Sequence, residues 1–240
     1  MQKSIALLFL LTAPAAHVMG GFIPPVGLAP GSQYQLIFVT ADALDALRPT
    51  IADYNAFVQH EASLSSSLPA GLTWKAVVST LFVNANVNAP SGGYPVFNTD
   101  GNQFTGGTGI YSGNIHPPDL SNQYGTNVTG DGRTPAIFWT GSNSLGQAFN
   151  PIADGSNIEA TFGVFQLEFG TTLVLNFTYG EQSQGTALDF LAISSPITVP
   201  TPEPATLSLL GSALLLIGGI SLLRRQRAQS YCKNDQHRGN

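Results

Sequence analysis

The sequence predicts an α+β fold with one main helix, a mixed or antiparallel sheet and long Gly/Asn-rich loops, plus one C-terminal transmembrane helix. One segment repeats its apolar residues at helical spacing, and several short segments are rich in β-branched and aromatic residues. Between residues 84 and 132 the chain is dominated by Gly, Asn, Ser and Thr. Because helices and strands do not alternate, a parallel βαβ sheet is not expected. An all-β sandwich is the alternative fold.

The elements follow in chain order from the apolar patterns. The predicted helix covers 51–65, where Ile51, Tyr54 and Val58 repeat on one face. Trp74 and Trp139 lie in predicted strands and are expected in the core, because tryptophan in strands is usually buried. The predicted strands cover 34–39, 72–83 (one or two strands), 94–97, 135–140, 162–167, 171–179 and 188–193.

The first 20 residues are typical of a secretory signal peptide. Lys3 precedes a short apolar run over 4–11, and small residues follow, with cleavage expected after Ala15 or Gly20. The apolar run is too short to span a bilayer. Signal peptidase is therefore a predicted partner, and residues 21–200 form a predicted extracytoplasmic domain.

The C-terminal end carries three sorting elements in a fixed order. A Pro-Glu-Pro motif comes first, then an uncharged stretch over 205–223 that is long enough to cross a membrane as a helix, then an arginine cluster. The arginines keep the following residues, 228–240, as a cytoplasmic tail, so the preceding domain lies outside. The motif and cluster residues are Pro202, Glu203, Pro204, Arg224, Arg225 and Arg227.

This arrangement over 201–227 resembles the PEP-CTERM sorting signal of bacterial surface proteins. The resemblance implies that an exosortase, an integral-membrane cysteine transpeptidase, recognises the tail and cleaves near the Pro-Glu-Pro motif. It also implies a precursor anchored in the inner membrane by one span and a mature form at the cell surface or outside the cell. Proteins with this signal come from species that make extracellular polysaccharide, which is therefore an expected partner.

The body resembles a module that recurs in such surface proteins. The resemblance is carried by residues 51–57, 73–80, 95–101 and 138–141, and the helix, the Asp-Gly turn and the Trp-x-Gly motif are similar to the endostatin-like branch of the C-type-lectin-like fold. That fold usually carries disulfides, and the body has no cysteine, since Cys232 is the only one in the chain. The calcium-dependent sugar motifs of lectins have no counterpart in this sequence, so the resemblance assigns no sugar-binding residues.

Composition argues against nucleic-acid binding. Only 10% of the 240 residues are charged, and the formal net charge is -5. Between residues 21 and 200 the basic residues are Arg48, Lys75 and Arg133, whereas carboxylates run from Asp42 to Asp189. A body this acidic repels phosphate backbones.

The sequence shows no catalytic or metal-binding constellation, and no enzyme activity or cofactor is predicted. His60 and His116 are isolated, whereas a zinc site needs three or four ligands at recognisable spacing. The Asp-Gly pairs, such as Asp100-Gly101, are interpreted as turns rather than calcium loops. Among the loop aromatics, Tyr111 and Tyr124 are the candidate ligand-binding residues.

Three functions remain open on these patterns. The preferred prediction is an exported, surface-sorted, non-enzymatic structural or extracellular-matrix protein associated with biofilm polysaccharide. An extracellular carbohydrate-binding module is the alternative, and a secreted hydrolase is the third.

Overall fold

A computed structural model describes residues 25–112, 115, 117–128, 136–153, 159–168 and 172–201. Contacts divide the chain after Val199, and the strands and helices belong to the first unit. The helices are α1 (Ile51–Leu64) and α2 (Ala85–Asn88). The strands are β1 (Gln33–Val39), β2 (Trp74–Ala76), β3 (Val96–Asn98), β4 (Gln103–Thr105), β5 (Ala136–Trp139), β6 (Glu159–Glu168), β7 (Thr172–Ser183), β8 (Asp189–Ser194) and β9 (Ile197–Thr198).

The nine strands join in one mixed sheet in which β8 is central. The main path runs β4-β3-β1-β8-β5-β6-β7, with β2 also paired to β8 and β9 to β1. One edge of β8 pairs antiparallel with β1, and its other edge is divided between β2 and the parallel strand β5. Residues Phe190 to Ile193 are buried, as expected for a strand with neighbours on both edges and cover on both faces.

Strand alternation builds a hydrophobic core on each face of the sheet. Leu36 and Phe38 of β1 point into one core with Trp74, whereas Ile37 and Val39 point into the other. Helix α1 packs on the first face, where the rings of Tyr54 and Phe190 stack with centroids 5.3 Å apart. The Asp53 carboxylate accepts hydrogen bonds from the Thr50 N–H and hydroxyl, which stabilises the start of this helix.

Side-chain amides close the outer edge of the short strand β2. Asn55 Oδ1 accepts from the Ala76 N–H at 2.9 Å, and Asn88 Nδ2 donates to the Ala76 carbonyl at 2.8 Å. Gln59 Oε1 accepts from the Trp74 N–H at 2.9 Å. The unpaired backbone groups of this edge are thus satisfied by α1 and α2 instead of a further strand.

Most predicted elements are confirmed. The main helix ends one residue earlier than predicted, the strands at 34–39, 135–140 and 188–193 are present, and Trp74 and Trp139 are buried. In the described residues the regular secondary structure is mainly strand. The strands form one mixed sheet rather than the two sheets of the alternative sandwich.

The predicted strand region over 72–83 is shortened to three residues. The chain leaves β8 after Val77, whose N–H still bonds the Leu191 carbonyl, and the Ser79 N–H then bonds the Thr140 carbonyl beyond β5. The short elements α2, β4 and β9 were not predicted, because two to four residues carry too little periodicity.

Several predicted segments lie outside the described residues. These are the signal peptide (1–20), the Pro202, Glu203 and Pro204 motif, the span 205–223, the arginines Arg224, Arg225 and Arg227, and the tail 228–240. Within the described part, neither helix has the length and apolar character needed to cross a membrane.

Candidate functional site

A surface groove of about 490 Å³ lies where the end of the sheet meets the segment that follows α2. This volume falls in the range of small-molecule sites. Its walls combine apolar and polar groups, and strands β1, β2 and β8 contribute residues to it. Its lining includes Gln35, Lys75, Asn88, Pro90, Tyr94 and Pro196.

The strand registers bring the polar floor of the groove together. Lys75 of β2 pairs with Ile193 of β8, which in turn pairs with Ile37 of β1. Gln35 lies two residues before Ile37 and therefore projects from the same face of the sheet. A lysine and a glutamine thus share a sheet face with the apolar residues Ile37 and Ile193.

Gln35 is a buried polar residue with one unmet acceptor. It is 3% exposed, and its Nε2 donates to the carbonyls of Pro90 at 3.0 Å and Ser194 at 2.9 Å. Two carbonyl acceptors fix the orientation of the amide, because exchanging its N and O would place oxygen against oxygen. Its Oε1 is then left without a hydrogen-bond partner, at a cost of about 1–3 kcal/mol unless a donor is supplied.

Lys75 and Tyr94 also line the groove, and their polar groups form no ion pair or hydrogen bond with other described residues. The one salt bridge among the described residues joins Arg48 to Asp45, so Lys75 has no ion-pair partner there. Tyr94 is half-buried, and within the described part its ring stacks on no other aromatic ring and its hydroxyl makes no hydrogen bond.

The groove is chemically suited to recognition. Its lining includes a lysine, a tyrosine and a buried glutamine, and among the described residues it holds no His, Asp, Glu or Cys. The hydroxyl-bearing residues Ser194 and Ser195 also belong to this lining. Ser194 Oγ is also engaged, since it accepts from the Leu36 N–H and donates to the Ser195 carbonyl.

The two tyrosines predicted as ligand-binding residues do not line this groove. Tyr111 packs beside Phe177, with ring centroids 5.8 Å apart, and its hydroxyl donates to the Ala89 carbonyl at 3.1 Å. Burial raises the pKa of Tyr111. Because Ala89 lines the groove, Tyr111 supports its wall from behind. Tyr124 lies in a turn and is 47% exposed. Ligand binding by these two residues stays a prediction.

Gln35 and Lys75 were missed by sequence reasoning, although a signal for each exists. Gln35 interrupts the apolar face that Ile37 and Val39 continue, and Lys75 does the same before Val77. A polar residue at an inward position of a strand is the pattern that points to such a site.

The Asp100-Gly101 loop forms a turn held by amide and hydroxyl donors. Asn98 Nδ2 and Asn102 Nδ2 donate to the Asp119 carboxylate, and Ser121 Oγ donates to Asp100 Oδ2 at 2.7 Å. Burial raises the pKa of Asp119, and the charge of Asp100 adds to this, whereas the Asn102 hydrogen bond lowers it.

The described residues contain no group of three or more His, Cys, Asp or Glu that could hold a metal ion. His60 is exposed on α1, and His116 lies outside the described residues.

Three carboxylate residues are linked near the start of β8: Glu61 is buried, Asp189 is half-buried and Asp42 is exposed. Glu61 is 2% exposed, and its Oε2 accepts from Gln123 Nε2 at 2.8 Å and from the Asp42 N–H at 3.3 Å. Burial raises the pKa of Asp189 to about 6, and the charge of Asp42 adds to this.

We expect Asp189→Asn to stabilise the protein at neutral pH. A carboxyl whose pKa is higher in the folded state than the ordinary 3.8 favours folding while protonated, so its contribution is lost as pH rises from about 4 to about 6. At pH 7 the substitution should raise the free energy of unfolding by about 1–2 kcal/mol, after allowance for solvent screening of a half-buried group.

Urea unfolding of both proteins between pH 4 and pH 7 measures this effect. The difference in the free energy of unfolding between the two proteins should grow up to about pH 6 and then stay constant. Asp42→Asn should remove part of this difference, because it removes the repulsion between Asp42 and Asp189. Parallel stability curves for wild type and Asp189→Asn would contradict the prediction.

No protein-family model matches the chain, and no curated protein sequence matches it significantly. The described part is a sheet-rich domain with a mixed polar and apolar surface groove. Its function is therefore inferred from this groove and from the two ends of the chain.

Proposed function

We propose that this chain is an exported, surface-sorted bacterial protein that an exosortase processes and that acts as a non-enzymatic structural or extracellular-matrix component. The observation that carries the proposal is the ordered tail: the Pro202-Glu203-Pro204 motif, the uncharged stretch 205–223 and the cluster at Arg224, Arg225 and Arg227. The N-terminal pattern over 1–20 demands the same orientation, with the body outside.

The body does not depend on disulfides. It has no cysteine, so its stability comes from two apolar cores rather than from disulfides. We extend the proposal to a C-type-lectin-like module of the kind the sequence resembles. The single main helix, the Asp100-Gly101 turn and the buried Trp139 of the Trp-x-Gly motif support this assignment.

Processing is tested by the mass of the mature protein in cells with and without the exosortase. In cells with it, we expect a mass that lacks both the signal peptide and the residues after the Pro-Glu-Pro motif. In cells without it, we expect the tail to remain and the protein to stay in the inner-membrane fraction. Replacing Pro202, Glu203 and Pro204 by alanine should reproduce that state, whereas Pro200→Ala, outside the motif, should be processed normally. The same full-length mass in both strains would refute the proposal.

A carbohydrate-binding module is the second candidate, and the groove favours it. Tyr94 offers an aromatic face, and Gln35 and Lys75 offer polar groups beside it, which is the mixture that sugar rings require. Binding to polysaccharide is compatible with a structural role in an extracellular matrix.

A further inference from the structure

We propose that the groove binds a uronic acid residue of an acidic polysaccharide, with Lys75 receiving the carboxylate and Gln35 Oε1 accepting a hydrogen bond from a sugar hydroxyl. This inference rests on the proposed carbohydrate-binding role and names the chemical class of the sugar.

Lys75 determines the charge of the ligand. It is a cation without an ion-pair partner among the described residues, and no carboxylate stands among the residues that line the groove around it. In a chain of net charge -5, this makes the groove a local site for an anion. A carboxylate hydrogen-bonded to the ammonium group would satisfy it, because charge-assisted hydrogen bonds are the strong ones.

Gln35 determines the second group of the ligand. Its Oε1 is buried and unpaired, and the amide cannot reorient because Nε2 is held by the carbonyls of Pro90 and Ser194. A ligand donor that reaches this oxygen would satisfy it. A cationic donor would be repelled by Lys75, so the donor is a neutral one, and a hydroxyl is the simplest that accompanies a carboxylate.

The walls of the groove favour a rigid ring over a flexible hydroxy acid. Pro90 and Pro196 provide apolar faces, and Tyr94 adds a ring that no other described aromatic side chain covers. A pyranose ring presents C–H faces to such surfaces while its edge carries hydroxyl and carboxylate groups. A uronate combines all three features, and a groove that is open at the surface allows the polymer to continue beyond it.

Calorimetric titration of the full chain with a matched set of ligands tests the inference. The set is an oligogalacturonide, its methyl ester, which keeps the hydroxyls without the charge, and cyclohexanecarboxylate, which keeps the charge and ring without hydroxyls. We expect the oligogalacturonide to bind at least about tenfold more tightly than either. Lys75→Gln should weaken its binding about tenfold or more, as expected for loss of a hydrogen bond to a charged group. Arg48→Gln, the same charge change on an exposed side chain outside the groove, should leave binding unchanged.

Each of the other possible outcomes contradicts a different part of this inference. If the methyl ester bound as tightly as the oligogalacturonide, the groove would still be a sugar site, but Lys75 would not recognise a carboxylate. Equal binding of cyclohexanecarboxylate would make the site a general anion receptor and remove the carbohydrate-binding role. Galacturonate monomer is titrated in the same way; if it bound as tightly as the oligomer, the ligand would be a free sugar acid and not a polysaccharide. No binding by protein that melts cooperatively would refute the inference, while the mass of the mature protein would still report on sorting independently.

Discussion

Replacing Gly109 by alanine is expected to destabilise the protein by about 3 kcal/mol or more. Gly109 has a φ of +76°, and a Cβ at this position would lie 1.6 Å from the Ser91 carbonyl oxygen. The left-handed backbone conformation of an alanine and the overlap of its Cβ with the Ser91 carbonyl oxygen each lower the free energy of unfolding by about 1–3 kcal/mol. Relief by movement is difficult, because Ser91 is 2% exposed and its Oγ accepts from the Ile110 N–H.

Gly107 provides the matched control for this prediction. It lies two residues away in the same loop, and a Cβ there would meet nothing within 4 Å. Gly107→Ala should therefore change the free energy of unfolding by no more than about 0.5 kcal/mol. Urea unfolding compares the two variants, and similar stabilities would show that the approach of Gly109 to Ser91 is not tight in solution.

The second large effect is expected at Asn55, where an alanine should destabilise the protein by about 2–3 kcal/mol. Asn55 Oδ1 accepts from the Ala76 N–H and from Asn88 Nδ2, both at 2.9 Å, and Asn55 Nδ2 donates to Asn88 Oδ1 at 2.8 Å. Ala76 is fully buried, so its N–H would have no access to water. Unsatisfied groups of this kind cost about 1–3 kcal/mol each, partly offset by the higher helix propensity of alanine.

His60→Ala on the same helix separates the lost hydrogen bonds from the gain in helix propensity. His60 is exposed, so this variant should be neutral or slightly stabilised. Asn55→Asp keeps the acceptor for Ala76 and loses the donor to Asn88, and its stability should lie between those of wild type and Asn55→Ala. If thermal and urea unfolding place Asn55→Ala beside His60→Ala, the amide bridge to β2 has no stabilising role.

The elements that sequence reasoning predicted well are those with strong local patterns. Helix α1 has apolar residues at helical spacing and a capping motif, and β1 and β8 are nearly continuous apolar runs. Strand β2 was predicted too long, because residues 77–79 look like a strand but bond to Leu191 and then to Thr140 beyond β5. Local propensity cannot show where a chain changes partners.

The candidate groove illustrates what local patterns leave out. Gln35 and Lys75 are 40 positions apart in the chain and meet through their separate pairing with β8. Tyr94 lies at the start of a predicted strand, and nothing in the local sequence favoured it over Tyr111 as a ligand-binding residue. The difference between them is burial: Tyr111 packs beside Phe177, whereas Tyr94 lines the groove.

The amino-acid sequence by itself determined the main helix and the long strands, because each depends on residues adjacent in the chain. Tertiary structure alone decided that β8 is central, that side-chain amides close the edge of β2, and that the Gln35 acceptor faces no donor. These features arise from hydrogen bonds and packing between distant segments, whose partners are chosen only when the whole sheet is assembled.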